Sequence, residues 1–308
     1  MGRRGAPTGL SGILAVDKPT GMTSHDVVSR VRRATGERRV GHAGTLDPAA
    51  TGVLVVLVGP ATRLTPYLAS AEKEYRARVT FGTATDTDDA EGSVTATAEV
   101  PEALRGDAYA RQSVAELVGT HAQVPPTYSA VKRGGVPAHR AARAGAPLEL
   151  AARSVTVSHA ALMGIDIGPP VAWDIRMAVS KGTYVRALAR DLGEHLGTCA
   201  HLSALRRTRS GTITLDDTFT LEQLDRAGPA VAALFTDPVR ALDLPVIEVA
   251  EDIVPRIAAG SGLDAPGTQD GTVVVASGTH VLGVHRWSPD AQRYRPLVVI
   301  PGGVARCA

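Results

Sequence analysis

Six consecutive apolar residues, Val53 to Val58, stand between Gly52 and Gly59. A short run of this kind, rich in β-branched valine and closed at both ends by turn formers, predicts a buried strand. Immediately before it lies the densest polar cluster of the chain, Arg38-Arg39-Val40-Gly41-His42-Ala43-Gly44-Thr45-Leu46-Asp47-Pro48. Two glycines and a proline around a lone carboxylate make a loop with unusual backbone demands. Such a loop can hold Asp47 exposed at a strand edge. An aspartate there can serve as a covalent nucleophile or as a base, and the neighbouring arginines would keep it ionised. An Asp-Pro pair by itself is only a turn signal, so the chemical reading rests on the whole run.

Around this centre the pattern alternates between strands and helices. Ile13 to Val16 predicts a short strand stopped at Asp17-Lys18-Pro19. Ser24 is the expected N-cap of a helix whose apolar stripe is Val27, Val28 and Val31, and which ends near Gly36. Tyr75, Ala77, Val79 and Phe81 alternate with polar residues, the period of a strand with one buried face. Residues 113–118 read as helical, 154–158 and 174–180 as strands. Residues 124–153, rich in Pro, Gly, Ala and Arg, read as an insertion or mobile loop. A helix is expected from Tyr184, with Leu188, Leu192 and Leu196 on one face. Near residue 244 the texture changes. A small helix over 248–259 and three short strands, 272–277, 280–287 and 294–300, predict a separate β-rich domain. Residues 1–11 read as a flexible tail.

Composition excludes more than it identifies. With 308 residues, 44% of them hydrophobic and 21% charged, the chain is globular and long enough for about two domains. Cys199 and Cys307 are too few and too far apart for a disulfide framework or a cysteine-based zinc site. The nine histidines show no metal-binding spacing, so no metal is expected. No apolar run approaches the length of a membrane span, and no apolar stretch follows the basic start as it would in a signal peptide. A reducing cytoplasm is the expected location.

The formal charge of +2 conceals a pattern. Residues 1–46 carry net +5, 121–153 net +4 and 181–209 net +4, while 47–120 carry −5, 154–180 carry −1 and 210–308 carry −5. If the three basic segments converge they form a phosphate-binding face; if not, they are three solvated surfaces.

Six ordered motifs turn these hints into a resemblance. They are Gly12-Ile13-Leu14-Ala15-Val16-Asp17-Lys18-Pro19-Thr20-Gly21-Met22-Thr23-Ser24, then Gly41 through Gly52, Lys73-Glu74-Tyr75, Gly82 through Asp88, Pro125 through Lys132, and Ser180-Lys181-Gly182-Thr183-Tyr184-Val185-Arg186 with Leu205-Arg206-Arg207 following. In this order, spread over nearly the whole chain, they resemble the bacterial tRNA pseudouridine synthase B (TruB) family.

The resemblance implies an α+β catalytic domain over residues 1–244, built on a mixed, mainly antiparallel sheet with flanking helices, and a small PUA-like β-rich domain over 245–308. It implies isomerisation of uridine 55 in the tRNA T-loop to pseudouridine, without cofactor or metal, by a protein expected to be monomeric. Asp47 matches the family's nucleophile, Tyr75 its active-site tyrosine, and Arg186 the arginine that pairs with the catalytic aspartate. His42 matches the residue that fills the space left by the flipped base, and Tyr184 and Leu205 match residues lining the uracil pocket. Lys18-Pro19 matches a structural motif that braces the catalytic loop. The basic segment 124–153 corresponds to an insertion that folds over the tRNA arm, so Lys132, Arg133, Arg140 and Arg143 would meet phosphates. One departure is His139, where many relatives have tyrosine. Two rival readings are a glycosidase using Asp86 and Asp88, whose spacing better suits hydrogen bonds within a turn, and an RNA-binding protein without catalysis, which has no need of the Asp47, Tyr75 and Arg186 set.

Overall fold

The computed structural model describes residues 8–264 and 271–306. Along the chain, β1 (Gly12–Lys18), α1 (Ser24–Thr35), β2 (Val40–His42), β3 (Thr51–Val58) and α2 (Thr65–Ser70) lead into β4 (Lys73–Phe81), β5 (Thr83–Thr85) and β6 (Val94–Thr97). Next come α3 (Asp107–Ala115), β7 (Gly119–Gln123), β8 (Lys132–Arg133), β9 (Val136–Pro137), α4 (Ala138–Arg143), β10 (Arg153–Asp166), β11 (Ala172–Val179), α5 (Val185–His195) and β12 (Ala200–Ser210). The remainder holds β13 (Ile213–Thr214), α6 (Leu221–Ala227), α7 (Pro238–Leu242), β14 (Val246–Glu248), α8 (Val254–Ala258), β15 (Thr272–Ser277), β16 (His280–Ser288) and β17 (Arg293–Ala305). The elements form two compact units: residues up to Ala71 together with those from Arg209 onward, and residues Glu72–Thr208. Most of the expected tail and Cys307 lie outside the described residues. Within the described part, the Thr8 hydroxyl donates to Glu37.

In the first unit, the expected buried strand is β3, with every residue after Thr51 buried. It pairs antiparallel with β1 from Gly12↔Val58 to Lys18↔Gly52, and with β2 from Val40↔Val58 to His42↔Val56. Helix α1 buries Val27, Val28 and Val31 and ends at a left-handed Gly36, as its sequence predicts. Its N-cap, however, is Thr23 and not Ser24. The Thr23 hydroxyl accepts from Asp26 N at 3.1 Å and Asp26 accepts in return from Thr23 N at 2.9 Å, a complete capping box. Ser24 is released for another task. The C-terminal strands form a sheet in the order β14-β15-β16-β17, antiparallel except for β14-β15. Ile13, Leu57 and Leu64 share one apolar cluster with Val274, Val284 and Ile300, so this sheet and the N-terminal strands bury one core.

In the second unit, strands run in the order β12-β4-β11-β10-β7. The alternation of β4 is as expected: Tyr75, Ala77, Val79 and Phe81 are buried. Helix α3 begins at Asp107, earlier than the pattern over 113–118 predicts; Ala110 and Val114, one turn apart, are its buried anchors. Strand β12 has no counterpart in the sequence reading. Arg206, Arg207 and Arg209 break its apolar period, and Arg207 is nonetheless only 1% exposed. Residues 124–153 are more regular than expected. Gly134 and Gly135, both at positive φ (58° and 83°), form the two-residue turn of a hairpin between β8 and β9, and α4 follows.

His285, on β16, has no exposed surface, and burial holds its imidazole below the ordinary 6.5, with the Ser261 backbone opposing. Because its folded pKa lies below its unfolded one, acidification through about 6.5 favours the unfolded chain, which binds the extra proton. Unfolding followed from pH 7 down to about 5 should show a loss of stability that His285→Leu flattens; an equally steep loss in that variant would exclude His285 as its source.

Candidate active site

The Asp47 loop is built by β1, α1 and β3 of the first unit. Lys18, the last residue of β1, has no exposed surface. Its ammonium donates to the carbonyls of Pro19 (2.9 Å), Met22 (2.6 Å) and Pro48 (3.1 Å), so one side chain ties the turn after β1 to the residue following Asp47. Gly21 N donates to Pro48 O at 2.9 Å, and the Thr20 hydroxyl reaches Ala49 O at 3.3 Å. On the other flank Ser24 Oγ accepts from Leu46 N at 2.9 Å and donates to Leu46 O at 3.0 Å, wholly buried. Asp47 thus sits between two residues whose backbones are each held by a buried side chain. Gly44 takes φ 114°, which a side chain would disfavour, and lets the loop turn back. Asp47 is half-buried. His42 closes β2, and its ring meets that of His25 edge to face, with centroids 6.0 Å apart.

The second unit carries the other expected residues. Tyr75 is buried on β4, opposite Met177 of β11. Tyr184 caps α5. Its N–H donates to Gln123 Oε1 at 2.9 Å while Gln123 Nε2 donates to its carbonyl at 3.1 Å, so the buried Gln123 clasps the start of the helix. Arg186, 6% exposed, donates to Thr87 O (2.7 Å) and Tyr128 O (3.1 Å), and its Nε lies 3.5 Å from Asp89 Oδ2. Leu205, on β12, is half-buried, less covered than a core leucine. Asp86 and Asp88 do not face a shared space as a glycosidase pair would. Asp86 accepts from Ser93 N across its own turn at 2.8 Å, and Asp88 binds Arg190 at 2.9 Å.

Lys132, Arg140 and Arg143 are exposed on β8 and α4 with no carboxylate partner among the described residues, whereas Arg133 lies 3.9 Å from Glu149. His139 Nδ1 lies 2.9 Å from Ser129 O, so the departure at this position is absorbed inside the insertion.

The sequence reading singles out neither Gln123 nor Asp89 as a site residue, because their partners lie about 60 and 100 positions away. Lys73 opens the Lys73-Glu74-Tyr75 motif, which assigns it no role. Lys73 is buried, and desolvation, with Arg207 and Lys181 nearby, brings its ammonium down to about 8. The signal was available: a lysine at a core-facing position of β4, two before Tyr75. Among the described residues no group of His, Cys, Asp and Glu has the arrangement of a metal site, and no helix is long and apolar enough to cross a membrane.

The fold is that of pseudouridine synthases. It matches the archaeal box H/ACA sRNP Nop10-Cbf5 complex with a TM-score of 0.68 at 24% identity, covering 94% of this chain and 84% of that one. It matches a Cbf5-Nop10-Gar1 complex with a TM-score of 0.69 at 25% identity, covering 94% and 83%. The sequence is more specific. A family model described as the N-terminal domain of TruB family pseudouridylate synthase matches residues 32–185, and one for the tRNA pseudouridylate synthase B C-terminal domain matches residues 186–241. A Nocardia farcinica protein named tRNA pseudouridine synthase B is 53% identical over 73% of this chain and 74% of its own length. Those of Thermobifida fusca (51% identical; 75% and 81% covered) and an Arthrobacter species (46% identical; 83% and 85% covered) bear the same name. The chain belongs to the TruB family, and it is a pseudouridine synthase, an isomerase.

Replacing Lys18 with Met keeps the stem but takes the ammonium from three part-buried carbonyls, of which Pro48 O keeps Gly21 N. With the Met22 carbonyl losing its charged donor, the Pro19 carbonyl able to turn to water and Pro48 keeping Gly21 N, urea denaturation should show a loss of about 2 kcal/mol or more. A loss below about 1 kcal/mol would mean that Lys18 does not brace the Asp47 loop.

Proposed function

We propose that this chain isomerises uridine 55 in the T-loop of tRNA to pseudouridine. The observation that carries the reading is the double brace on Asp47: a carboxylate half open to its surroundings, on a backbone fixed at both neighbouring residues by buried side chains. A turn with no chemical task has no need of such fixation. In the reaction the N1–C1′ bond breaks, the uracil turns, a C5–C1′ bond forms and the C5 proton leaves. Asp47 is the nucleophile, and Arg186 pairs with it to keep it charged and oriented. Tyr75 stacks on the extruded uracil and serves the removal of the C5 proton. Tyr184 and Leu205 line the base, and His42 takes the place the base leaves, offsetting an unstacking cost of a few kcal/mol. Neither metal nor cofactor takes part.

Lys132, Arg140 and Arg143 contact the T-arm backbone, which the exposure and unpaired charge of these cations support. Residues 1–244 are the catalytic domain, with 124–153 as its RNA-clamping insertion, and 245–308 a PUA-like module. The enzyme works as a monomer in the cytoplasm.

Purified protein should release tritium from tRNA labelled at uridine C5, whereas a protein that only binds RNA would release none. Asp47→Asn should abolish release with tRNA affinity nearly intact; a collapse of binding would make Asp47 a structural residue. Reversing the charges of Arg140 and Arg143 should weaken tRNA binding and flatten its salt dependence, each lost phosphate contact lowering the logarithmic slope by about 0.7–0.9. An unchanged slope would remove the insertion from the footprint.

A further inference from the structure

Arg186 and Arg190 lie one turn apart on the same face of α5. Both reach the acidic turn after β5 and the first residues of the insertion. Arg186 holds Thr87 O, Asp89 and Tyr128 O; Arg190 binds Asp88 Oδ2 at 2.9 Å and donates to Val124 O at 3.0 Å. Val124 is where the insertion begins, two residues ahead of Pro126. Beyond Val124, the Arg186 bond to Tyr128 O also ties this segment to α5, and the exposed cations Lys132, Arg140 and Arg143 follow it. We propose that the Asp88–Arg190 pair is a positioning latch that fastens the root of the insertion to the helix bearing Arg186.

Three observations support a positioning role over a merely stabilising one. First, the anchor is rigid. The turn is tied to β12 by Leu202 N to Asp88 O (3.0 Å) and Ala90 N to Leu202 O (3.1 Å). Second, Asp88 holds a left-handed backbone, φ 60°, which costs a non-glycine residue about 1 kcal/mol or more. Third, burial raises its carboxyl pKa, with Arg190 and Arg186 opposing, so the charge is placed there against desolvation. Pairs of this kind contribute little net stability and are retained where they fix an arrangement. Arg190 has a second carboxylate within reach, Asp191 at 2.7 Å, so its charge would be compensated without Asp88. Asp191 holds Nε (2.9 Å) and Nη2 (2.7 Å), the arm that also meets the Val124 carbonyl, whereas Asp88 alone holds Nη1; what Asp88 adds is the tie from that guanidinium to the turn after β5.

The proposal rests on the reading that the insertion grips RNA, and the test separates the two. Asp88→Asn removes the charge with a residue that tolerates a left-handed backbone. Arg190→Lys keeps the charge but loses the fork needed to hold Asp88 and Val124 together. Each variant, and the double variant, is measured in two ways: the rate of trypsin cleavage at Lys132, Arg133, Arg140 and Arg143, and KM and kcat on tRNA. Both single variants should be cleaved about 3- to 10-fold faster and raise KM by a similar factor. The kcat should hold, because Arg186 keeps its own contacts, and the double variant should be no worse than either single one. Unchanged cleavage in both variants overturns the latch, as does a double variant in which the two effects multiply. Faster cleavage with unchanged KM upholds the latch and overturns the grip on RNA.

Discussion

Lys18 has no surface in contact with solvent, and its ammonium must therefore find its hydrogen bonds inside the protein. It finds them on three carbonyls, two in the turn that ends β1 and one at Pro48. That requirement fixes the register of everything nearby. β1 must end where its lysine can turn inward, the next four residues must curl around the amine, and the loop before β3 must pass close enough for Pro48 to accept. Ser24 completes the constraint by holding both backbone groups of Leu46. A carboxylate on a free loop would sample many directions; Asp47, held on both sides, samples few. Placement of a reacting group is what enzymes most need from a fold, and here it is delivered by backbone acceptors that any sequence possesses and by two side chains that few sequences would place there.

The second unit solves a similar problem with a helix. The start of α5 is clasped by Gln123, which meets the Tyr184 N–H where the first turn of the helix is buried. Arg186 and Arg190 then extend from one face to an acidic turn whose backbone is bonded to Leu202 of β12. The guanidinium suits this work because it serves several acceptors at fixed angles without losing its charge. The turn read from sequence as a possible carboxylate pair is thus a socket for arginines. Asp88 and Asp89 do their work through the residues they hold.

Much of this was legible in the sequence where a single element decides the matter. The β3 run, the period of β4, the leucine face of α5 and the left-handed end of α1 are local signals, and the structure follows them. Failures came where a residue answers to a distant partner. Ser24 is a good cap by type, but Thr23 occupies the cap and Ser24 bonds Leu46, 22 residues away. β12 was hidden because Arg206, Arg209 and the buried Arg207 interrupt its pattern. Gln123 and Asp89 carry no local signal at all. The hairpin in the insertion was readable from Gly134-Gly135, but the surrounding Pro, Ala and Arg obscured it. The motifs around Asp47 and Arg186 identified the family more readily than the physics of either segment, because each segment alone is a turn with charges.

The activity proposed for this chain is formation of the T-loop pseudouridine of tRNA. Mapping pseudouridine by chemical modification and reverse-transcription stops, in tRNA from cells lacking this protein, tests it most directly. The mark at position 55 should be lost, other pseudouridines retained, and the mark regained when the wild-type chain is restored. Full modification at that position in the absence of the protein would contradict it.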